Sequence, residues 1–247
     1  MAQHRYLSNA PIREAIIDIQ FLPVVGIESV DRFAAAFASQ EQGKMTDVWT
    51  ATLELKIEPT GMRPSQTGSR VGRRVDLADG KHVVQFRTSG FTFSRLHPYE
   101  SWEVMSEKAL GIWEGYFEAM KPSSIARVAT RFINAITLPL PIADYSNYLT
   151  YAPDVPDTLP QTIAGFLNQV QIVDAGNSDI TVVTQTTEAW TPDQKGLVVL
   201  LDIDASHTPG SQIEDLSQVS VILNRLRDTK NKAFFGFLEE PALEPYK

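Results

Sequence analysis

Residues 81–120 read KHVVQFRTSGFTFSRLHPYESWEVMSEKALGIWEGYFEAM, and the organisation of the whole chain follows from this stretch. Apolar and polar side chains alternate over residues 82–87 and again over residues 91–95, with Gly90 between the two runs. Such alternation predicts a β-hairpin or a single bulged strand. Pro98 ends the strand pattern, because the residue before a proline avoids helical geometry.

The second part of this stretch predicts a helix over residues 101–120. Its large apolar side chains recur at spacings of three and four, which places them on one helix face. They are Trp102, Met105, Ala109, Ile112, Trp113, Tyr116, Phe117 and Met120. Ser101 precedes the stripe and can cap the helix by accepting a hydrogen bond from a first-turn amide. Burying each large side chain is worth roughly 1.5–3 kcal/mol, so we expect this helix to anchor a core against a sheet. The alternative is that the aromatic side chains line a ligand cavity.

Similar patterns on both sides of this stretch predict the remaining elements. Alternation predicts strands over residues 12–21, 48–57, 71–77, 127–138, 166–174, 180–187 and 197–204. Helical spacing predicts a short helix capped by Ser29, a short helix near residues 143–149 and a long last helix over residues 211–238 capped by Ser211. The segments 59–69 and 152–160 are rich in turn-forming residues and predict exposed loops.

The two halves of the chain repeat one order of elements. Residues 1–122 and residues 123–247 each run from a strand through a short helix and several strands to a long amphipathic helix. We therefore predict an α+β fold with two pseudo-duplicated strand-helix-strands-helix units that form one continuous globular domain. The units would share a two-layer antiparallel sheet with two long amphipathic helices on one face. A pocket is expected on the concave side of the sheet or between the helices.

Composition restricts the classes of function. The net charge of −8 argues against a large general nucleic-acid surface but leaves a local basic patch open. The absence of cysteine removes disulfides, thiolate nucleophiles and Cys-ligated zinc, and it fits a cytoplasmic location. The start of the chain lacks the apolar run of a signal peptide, and no apolar stretch approaches the length that spans a bilayer. We therefore predict no membrane association.

The chain carries no assembled catalytic motif. The nucleophile pattern Gly-x-Ser-x-Gly does not occur, and the four histidines share no metal-ligand spacing. Asp202 and Asp204 lie on one face of a predicted strand and could ligate a hard cation together with His207. A solvated strand end is the favoured interpretation of these carboxylates. The sequence accordingly predicts no catalytic residue, no metal and no cofactor.

Two groups of arginines are candidate binding residues. Arg63, Arg70, Arg73 and Arg74 surround the predicted loop over residues 59–69 and form the one local positive patch, which could hold a phosphate or an acidic partner. Scattered arginines that aid solubility are the alternative, and they are favoured.

Arg127 and Arg131 lie four residues apart on one strand face, roughly 13 Å from each other, which is too far to clamp one small anion. We expect each to pair with a carboxylate such as Glu14 or Asp18 on a neighbouring strand. An anion site is the alternative for these two arginines. Arg127, Arg131, Tyr99 and His97 are in addition the candidate ligand-binding residues of a small-molecule or nucleotide-binding enzyme that uses a pocket at the sheet.

Three segments together resemble a known family. They are residues 9–15 (NAPIREA), residues 84–100, and residues 131–136 (RFINAI). The pattern is similar to that of a sporadically distributed family of bacterial and archaeal proteins of similar length and uncharacterised function. Ser94 and Ala135 depart from the family pattern. The resemblance implies no catalytic residues, and it implies an association with mobile-element or host-defence gene neighbourhoods.

These observations favour a non-enzymatic binding or interaction protein, as a component of a bacterial defence or toxin-control system. Its partner would be another protein or a small ligand held between sheet and helices, and a homo-oligomer stays open. The first alternative is a small-molecule or nucleotide-binding enzyme that uses the sheet-helix pocket. The second is nucleic-acid binding through the arginine loop, which the acidic net charge disfavours.

Overall fold

The structure is a computed structural model that describes residues 7–58, 61–209 and 216–247, with backbone alone for residues 52–58, 61–67 and 216. Its strands are β1 (Ile12–Leu22), β2 (Lys44–Glu58), β3 (Gly61–Asp76), β4 (His82–Arg87), β5 (Gly90–Leu96), β6 (Ser124–Pro139), β7 (Leu167–Asp174), β8 (Asp179–Trp190) and β9 (Gly196–His207). Its helices are α1 (Ile27–Gln40), α2 (Trp102–Met120), α3 (Leu216–Gly236) and α4 (Glu240–Leu243). Short 3-10 turns cover Tyr145–Asn147 and Glu244–Tyr246.

The nine strands form one antiparallel sheet, which confirms the predicted α+β class. Their order is β2-β3-β4-β5-β1-β6-β9-β8-β7. The first strands of the two halves pair at the centre, where β1 runs antiparallel to β6 from Ile12 opposite Asn134 to Leu22 opposite Ser124. The last strand of each half lies directly outside them, because β5 pairs with β1 and β9 pairs with β6.

The core lies on the sheet face that contacts the helices. Ala15, Ile17 and Ile19 of β1 are fully buried there in one cluster with side chains of α1, α2 and α3. A second cluster joins the far ends of β6 and β9 to the end of α3 and to α4. The opposite sheet face carries the alternating residues, among them Asp18 and Arg127, because successive strand side chains point to opposite faces.

Helix α2 forms as its sequence predicts. The Ser101 hydroxyl accepts a hydrogen bond from the Val104 amide at 3.2 Å, and five of the predicted stripe residues are buried: Trp102, Met105, Ala109, Trp113 and Tyr116. The Trp113 ring lies 6.1 Å from the Phe21 ring of β1 and 5.8 Å from the Phe91 ring of β5. Buried aromatic pairs of this kind attach the helix firmly to the middle of the sheet.

Replacing the cap of α2 tests this local prediction. Ser101→Ala should lower the free energy of unfolding by about 1 kcal/mol, because the Val104 amide loses its acceptor at the helix end. Ser106→Ala is the matched control, since the Ser106 hydroxyl donates to the Glu103 carbonyl inside the helix and caps nothing. Chemical denaturation of both variants measures the difference, and equal losses would contradict the capping role.

Two predicted features of the N-terminal half were wrong. The expected loop over residues 59–69 belongs to β3 from Gly61 onward, where it pairs with β2. Pro64 is tolerated because β4 pairs only with residues 72–76 of β3, so Pro64 lies on a free edge where no amide donor is needed. Helix α1 begins at Ile27 after Gly26, so Ser29 lies in its first turn and does not cap it.

The C-terminal helix also ends differently from the prediction. Helix α3 stops at Gly236, and Pro241 lies in the first turn of the separate helix α4, which begins at Glu240. The predicted cap Ser211 lies outside the described residues.

Candidate functional site

A cavity of about 200 Å³ opens between the N-terminal end of α2 and the C-terminal half of α3. Tyr99 and Trp102 line it from the α2 side, while Arg227, Lys230 and Phe234 line it from α3. Residues at the start of β1 and Asn134 of β6 complete its floor. The cavity therefore lies where the helices of the two halves meet over the central strands.

Lys230 is the unusual group in this cavity. The residue is only 8% exposed, and its Nζ lies 3.8 Å from the centroid of the Phe132 ring. Among the residues whose side chains the structure describes, no hydrogen-bond acceptor and no carboxylate pairs with the Lys230 Nζ. A buried lysine almost always has such a partner. Because Lys230 has none in this part of the chain, its amine is available to a molecule in the cavity.

The protonation of Lys230 reflects its surroundings. Burial lowers the pKa of Lys230 to about 7, and the neighbouring Arg227 guanidinium lowers the pKa further in the same direction. The Phe132 ring face opposes this trend, because a cation over an aromatic ring is attracted to it. Near neutral pH the amine is thus divided between its ammonium form and its neutral, nucleophilic form.

The walls of the cavity are aromatic and cationic. The Tyr99 ring packs edge-on against Phe132 at 5.7 Å, and burial raises the pKa of the Tyr99 hydroxyl, which keeps it a hydrogen-bond donor. The Trp102 indole N–H is already occupied, since it donates to the Asn224 side chain at 2.7 Å. Arg227 approaches the exposed Glu103 carboxylate only to 3.6 Å, so its guanidinium is weakly paired.

Lys230 is absent from the residues predicted from the sequence, although its position carries a recognisable signal. Lys230 lies four residues after Leu226 and four before Phe234, and both of these side chains are buried. A lysine at that spacing falls on the apolar stripe of α3, where a charge has no solvent. A lysine among the apolar residues of a buried helix face is the sequence pattern that would have identified this site.

A second polar cluster, on the opposite sheet face, is built from ion pairs. Asp18 of β1 accepts hydrogen bonds from Arg87, from Thr92 at 2.8 Å and from Arg127 at 3.3 Å. Arg127 also reaches Asp204 of β9 at 3.1 Å. Burial raises the pKa of Asp204, and the attraction of Arg127 opposes that rise.

These contacts test the predicted partners of the two central arginines. The pairing of Arg127 with Asp18 is confirmed. Arg131 pairs with Asp202, whose Oδ1 lies 2.8 Å from Nε, so it also meets a carboxylate on a neighbouring strand, here β9. The hydrogen bond to Asp202 raises the pKa of Arg131.

The four predicted ligand-binding residues lie at three separate places. Tyr99 lines the interhelical cavity, and His97 lines a neighbouring shallow cavity with Arg13 and Tyr246. Arg127 and Arg131 alternate along β6 with Phe132, which faces the helices, so they occupy the other face. A single pocket that holds all four side chains does not form.

The predicted arginine loop is a strand whose described charges are compensated. Arg70 and Arg73 of β3 each donate to Asp31 of α1 at 2.7 Å, and both also approach Asp47 of β2. The hydrogen bond from Arg70 is the main reason that the pKa of Asp31 falls to about 2. Arg74 pairs with Asp76 on the other side of the strand. The side chain of Arg63 lies outside the described residues.

The carboxylates and the histidine of the cation alternative do not meet. Asp202 and Asp204 pair with Arg131 and Arg127 on the outer face. His207 instead contacts Asp179 through Nδ1 at 2.8 Å, and Asp179 also accepts two hydrogen bonds from Arg225. No group of three or more metal-ligating side chains occurs in the part of the chain that the structure describes.

Two comparisons with known proteins found no match. No protein-family model matches the chain, and no curated protein matches it. Within the described ranges, none of the helices has the length and hydropathy needed to span a membrane.

Proposed function

We propose that this chain is a small-molecule-binding protein whose site is the cavity between α2 and α3. The observation that carries the proposal is the buried Lys230 amine, which lacks a carboxylate partner in the described structure and faces a cavity. A buried lysine costs folding free energy, because the charged form loses its hydration. Groups of this kind, buried in a cleft with a strongly shifted pKa, are typical of functional sites.

The dimensions of the cavity restrict the ligand. An apolar cavity of about 150 Å³ admits benzene, so a volume of about 200 Å³ suits a ligand of roughly ten non-hydrogen atoms. The aromatic side chains Tyr99, Trp102 and Phe234 suit a flat or apolar body. Lys230 and Arg227 suit a negative group such as a carboxylate. The ligand class is therefore a small aromatic or branched anion.

A direct test uses benzoate as the probe. Protein purified from its own host is first examined by native mass spectrometry for a retained small molecule, and the dialysed protein is then titrated with benzoate by calorimetry at about pH 6, where Lys230 is mostly protonated. Lys230→Met should weaken benzoate binding about 10- to 100-fold, because a hydrogen bond to a charged group contributes about 1.5–3 kcal/mol.

Lys232→Met provides the matched control for this titration. Lys232 lies on the same helix but is exposed to solvent, so its loss removes one positive charge and should leave benzoate affinity within about twofold. Equal affinities of wild type and Lys230→Met would contradict the proposed site. Absence of benzoate binding together with absence of a retained molecule would contradict the proposed function.

The strand order supports the predicted duplication as part of this proposal. Each half places its first strand at the centre of the sheet, with its last strand next to it and its other strands further out. Buried side chains of α1, α2 and α3 pack on one sheet face, which supports the two-layer arrangement. The cavity then lies at the junction of the two units, a common place for ligand sites. A protein partner, a homo-oligomer and a role in defence or toxin control stay predictions.

A further inference from the structure

We propose that the ligands of this cavity are aldehydes or ketones that also carry a carboxylate, and that Lys230 captures their carbonyl carbon as a reversible imine. This inference rests on the proposed small-molecule site and names its substrate class. Anion binding alone would need only a permanent positive charge at this position. The inference goes further and assigns a covalent step to the Lys230 amine.

The position of Lys230 favours nucleophilic attack over charge pairing. The amine is buried against Phe132, Phe234 lies one helical turn beyond it, and the described residues place no carboxylate beside it. Desolvation in an apolar pocket activates a lysine, because it favours the neutral amine whose lone pair attacks carbonyl carbon. An arginine, which stays charged, would serve an anion better at this position.

The surrounding charged groups support a second contact. The ionisable groups that line the cavity with Lys230 are Arg227 on α3 and Tyr99, Glu100 and Glu103 on the segment that enters α2. Glu100 pairs with Arg95 at 2.8 Å. Among the described residues, the carboxylates near Arg227 are then Asp228 and Glu103, at long distances of 3.5 and 3.6 Å. Arg227 can therefore exchange a weak partner for a ligand carboxylate and orient the carbonyl group toward Lys230.

The chemical step balances without a further reactant. The lone pair of the Lys230 Nζ forms a bond to the carbonyl carbon, and the carbonyl π electrons move to oxygen. One proton passes from nitrogen to that oxygen and gives a carbinolamine. Loss of the hydroxyl group with a second nitrogen proton releases one water molecule and leaves the C=N bond. The Tyr99 hydroxyl, which has no described protein acceptor or donor, is placed on the cavity wall to donate a hydrogen bond to the carbonyl oxygen.

Reductive trapping tests the inference. The full-length protein is incubated with 4-carboxybenzaldehyde and cyanoborohydride at about pH 7.5, and the labelled lysines are quantified by peptide mapping. Lys230 should acquire the carboxybenzyl group roughly 50-fold faster than Lys232, because its lower pKa leaves far more neutral amine even though that amine is intrinsically less nucleophilic. Tyr99→Phe should slow trapping at Lys230 without changing the rate at Lys232.

Two controls show whether fast labelling of Lys230 depends on the folded cavity or on the general reactivity of lysine with the reagent. In strong denaturant the rates at Lys230 and Lys232 should become equal, since the cavity no longer exists. Lys230→Met should remove the fast labelling and leave the slow labelling elsewhere unchanged. Equal or slower labelling of Lys230 in the folded protein overturns the imine inference.

The benzoate titration makes the two failures distinguishable. Benzoate binding that depends on Lys230, combined with no preferential trapping, would leave the small-molecule site standing and overturn only the covalent step. Failure of both benzoate binding and trapping would overturn the proposed function and this inference together.

Discussion

Lys230→Met is expected to stabilise the protein, by up to about 5 kcal/mol below pH 7. The pKa of Lys230 is about 7 in the folded protein, against 10.5 as the ordinary value, and each pH unit of this difference is worth about 1.36 kcal/mol. Methionine has a similar length and fills the same space without a charge to desolvate. A gain of stability on removing a polar side chain is the result expected of a residue kept for function.

The pH dependence of this gain has a definite sign. Between pH 7 and pH 10.5 the unfolded chain holds a proton on Lys230 that the folded chain has released, so the free energy of unfolding of the wild type rises with pH in that window. Lys230→Met lacks this contribution. Its advantage over the wild type should therefore be largest at about pH 6 and should shrink by about 2–3 kcal/mol between pH 7 and pH 9.

Urea denaturation of dialysed protein at several pH values measures both effects. Lys232→Met is again the control, and its stability should follow the wild type at every pH because Lys232 is exposed. Parallel stability curves for the wild type and Lys230→Met between pH 6 and pH 9 would show that the lysine is not desolvated, and the candidate site would lose its physical basis.

Asp18→Ala is expected to have the largest destabilising effect of the polar substitutions, at about 3 kcal/mol. Asp18 is 16% exposed and accepts hydrogen bonds from Arg87, Thr92 and Arg127. Removing one partner of a largely buried ion pair leaves the other charge without compensation, which is the costly way to break it. Arg87 is especially sensitive, because its Nε is buried and has no hydrogen-bond partner among the residues that the structure describes.

A matched substitution on the same sheet face shows whether burial is the cause. Asp76→Ala removes the partner of Arg74, but that pair is well exposed on both sides, so the loss should stay below about 1 kcal/mol. Denaturation of both variants measures the contrast, and benzoate affinity should be unchanged in each because the cluster faces away from the cavity. Tighter benzoate binding in Asp18→Ala would instead favour an anion site on the outer face, because Arg87 and Arg127 lose the carboxylate that occupies them.

Much of the fold could be predicted because the cap, the apolar stripe and the strand alternation each lie within one short segment. The Ser101 cap and the apolar stripe of α2 lie within one segment, and the structure follows them. The alternation of β1 likewise places Ala15, Ile17 and Ile19 in the core. The loop prediction around Pro64 was wrong because glycine and proline usually mark loops. Pro64 is accepted in β3 because β4 pairs only with residues 72–76, and the sequence of β3 itself does not show this.

The site was harder to predict because its parts are far apart in the chain. Tyr99 was a candidate of the predicted sheet-helix pocket, and it does line the cavity. Lys230 lies 131 positions later and gains its meaning only when α3 covers Phe132 of β6. Arg127 and Arg131 each pair with a carboxylate on a neighbouring strand, as predicted. The identity of Asp202 as the partner of Arg131 depends on the position of β9 beside β6, which the local pattern does not contain.

The central pairing of β1 with β6 also has a consequence for the order in which the chain folds. Ile12 must find Asn134 and Leu22 must find Ser124, so the contacts at the middle of the sheet join positions more than about a hundred residues apart in sequence. Closing so long a loop is slow compared with forming a hairpin. Newly synthesised β1 therefore waits with one edge unpaired until β6 has left the ribosome, and the cavity above that junction is among the last features to be completed.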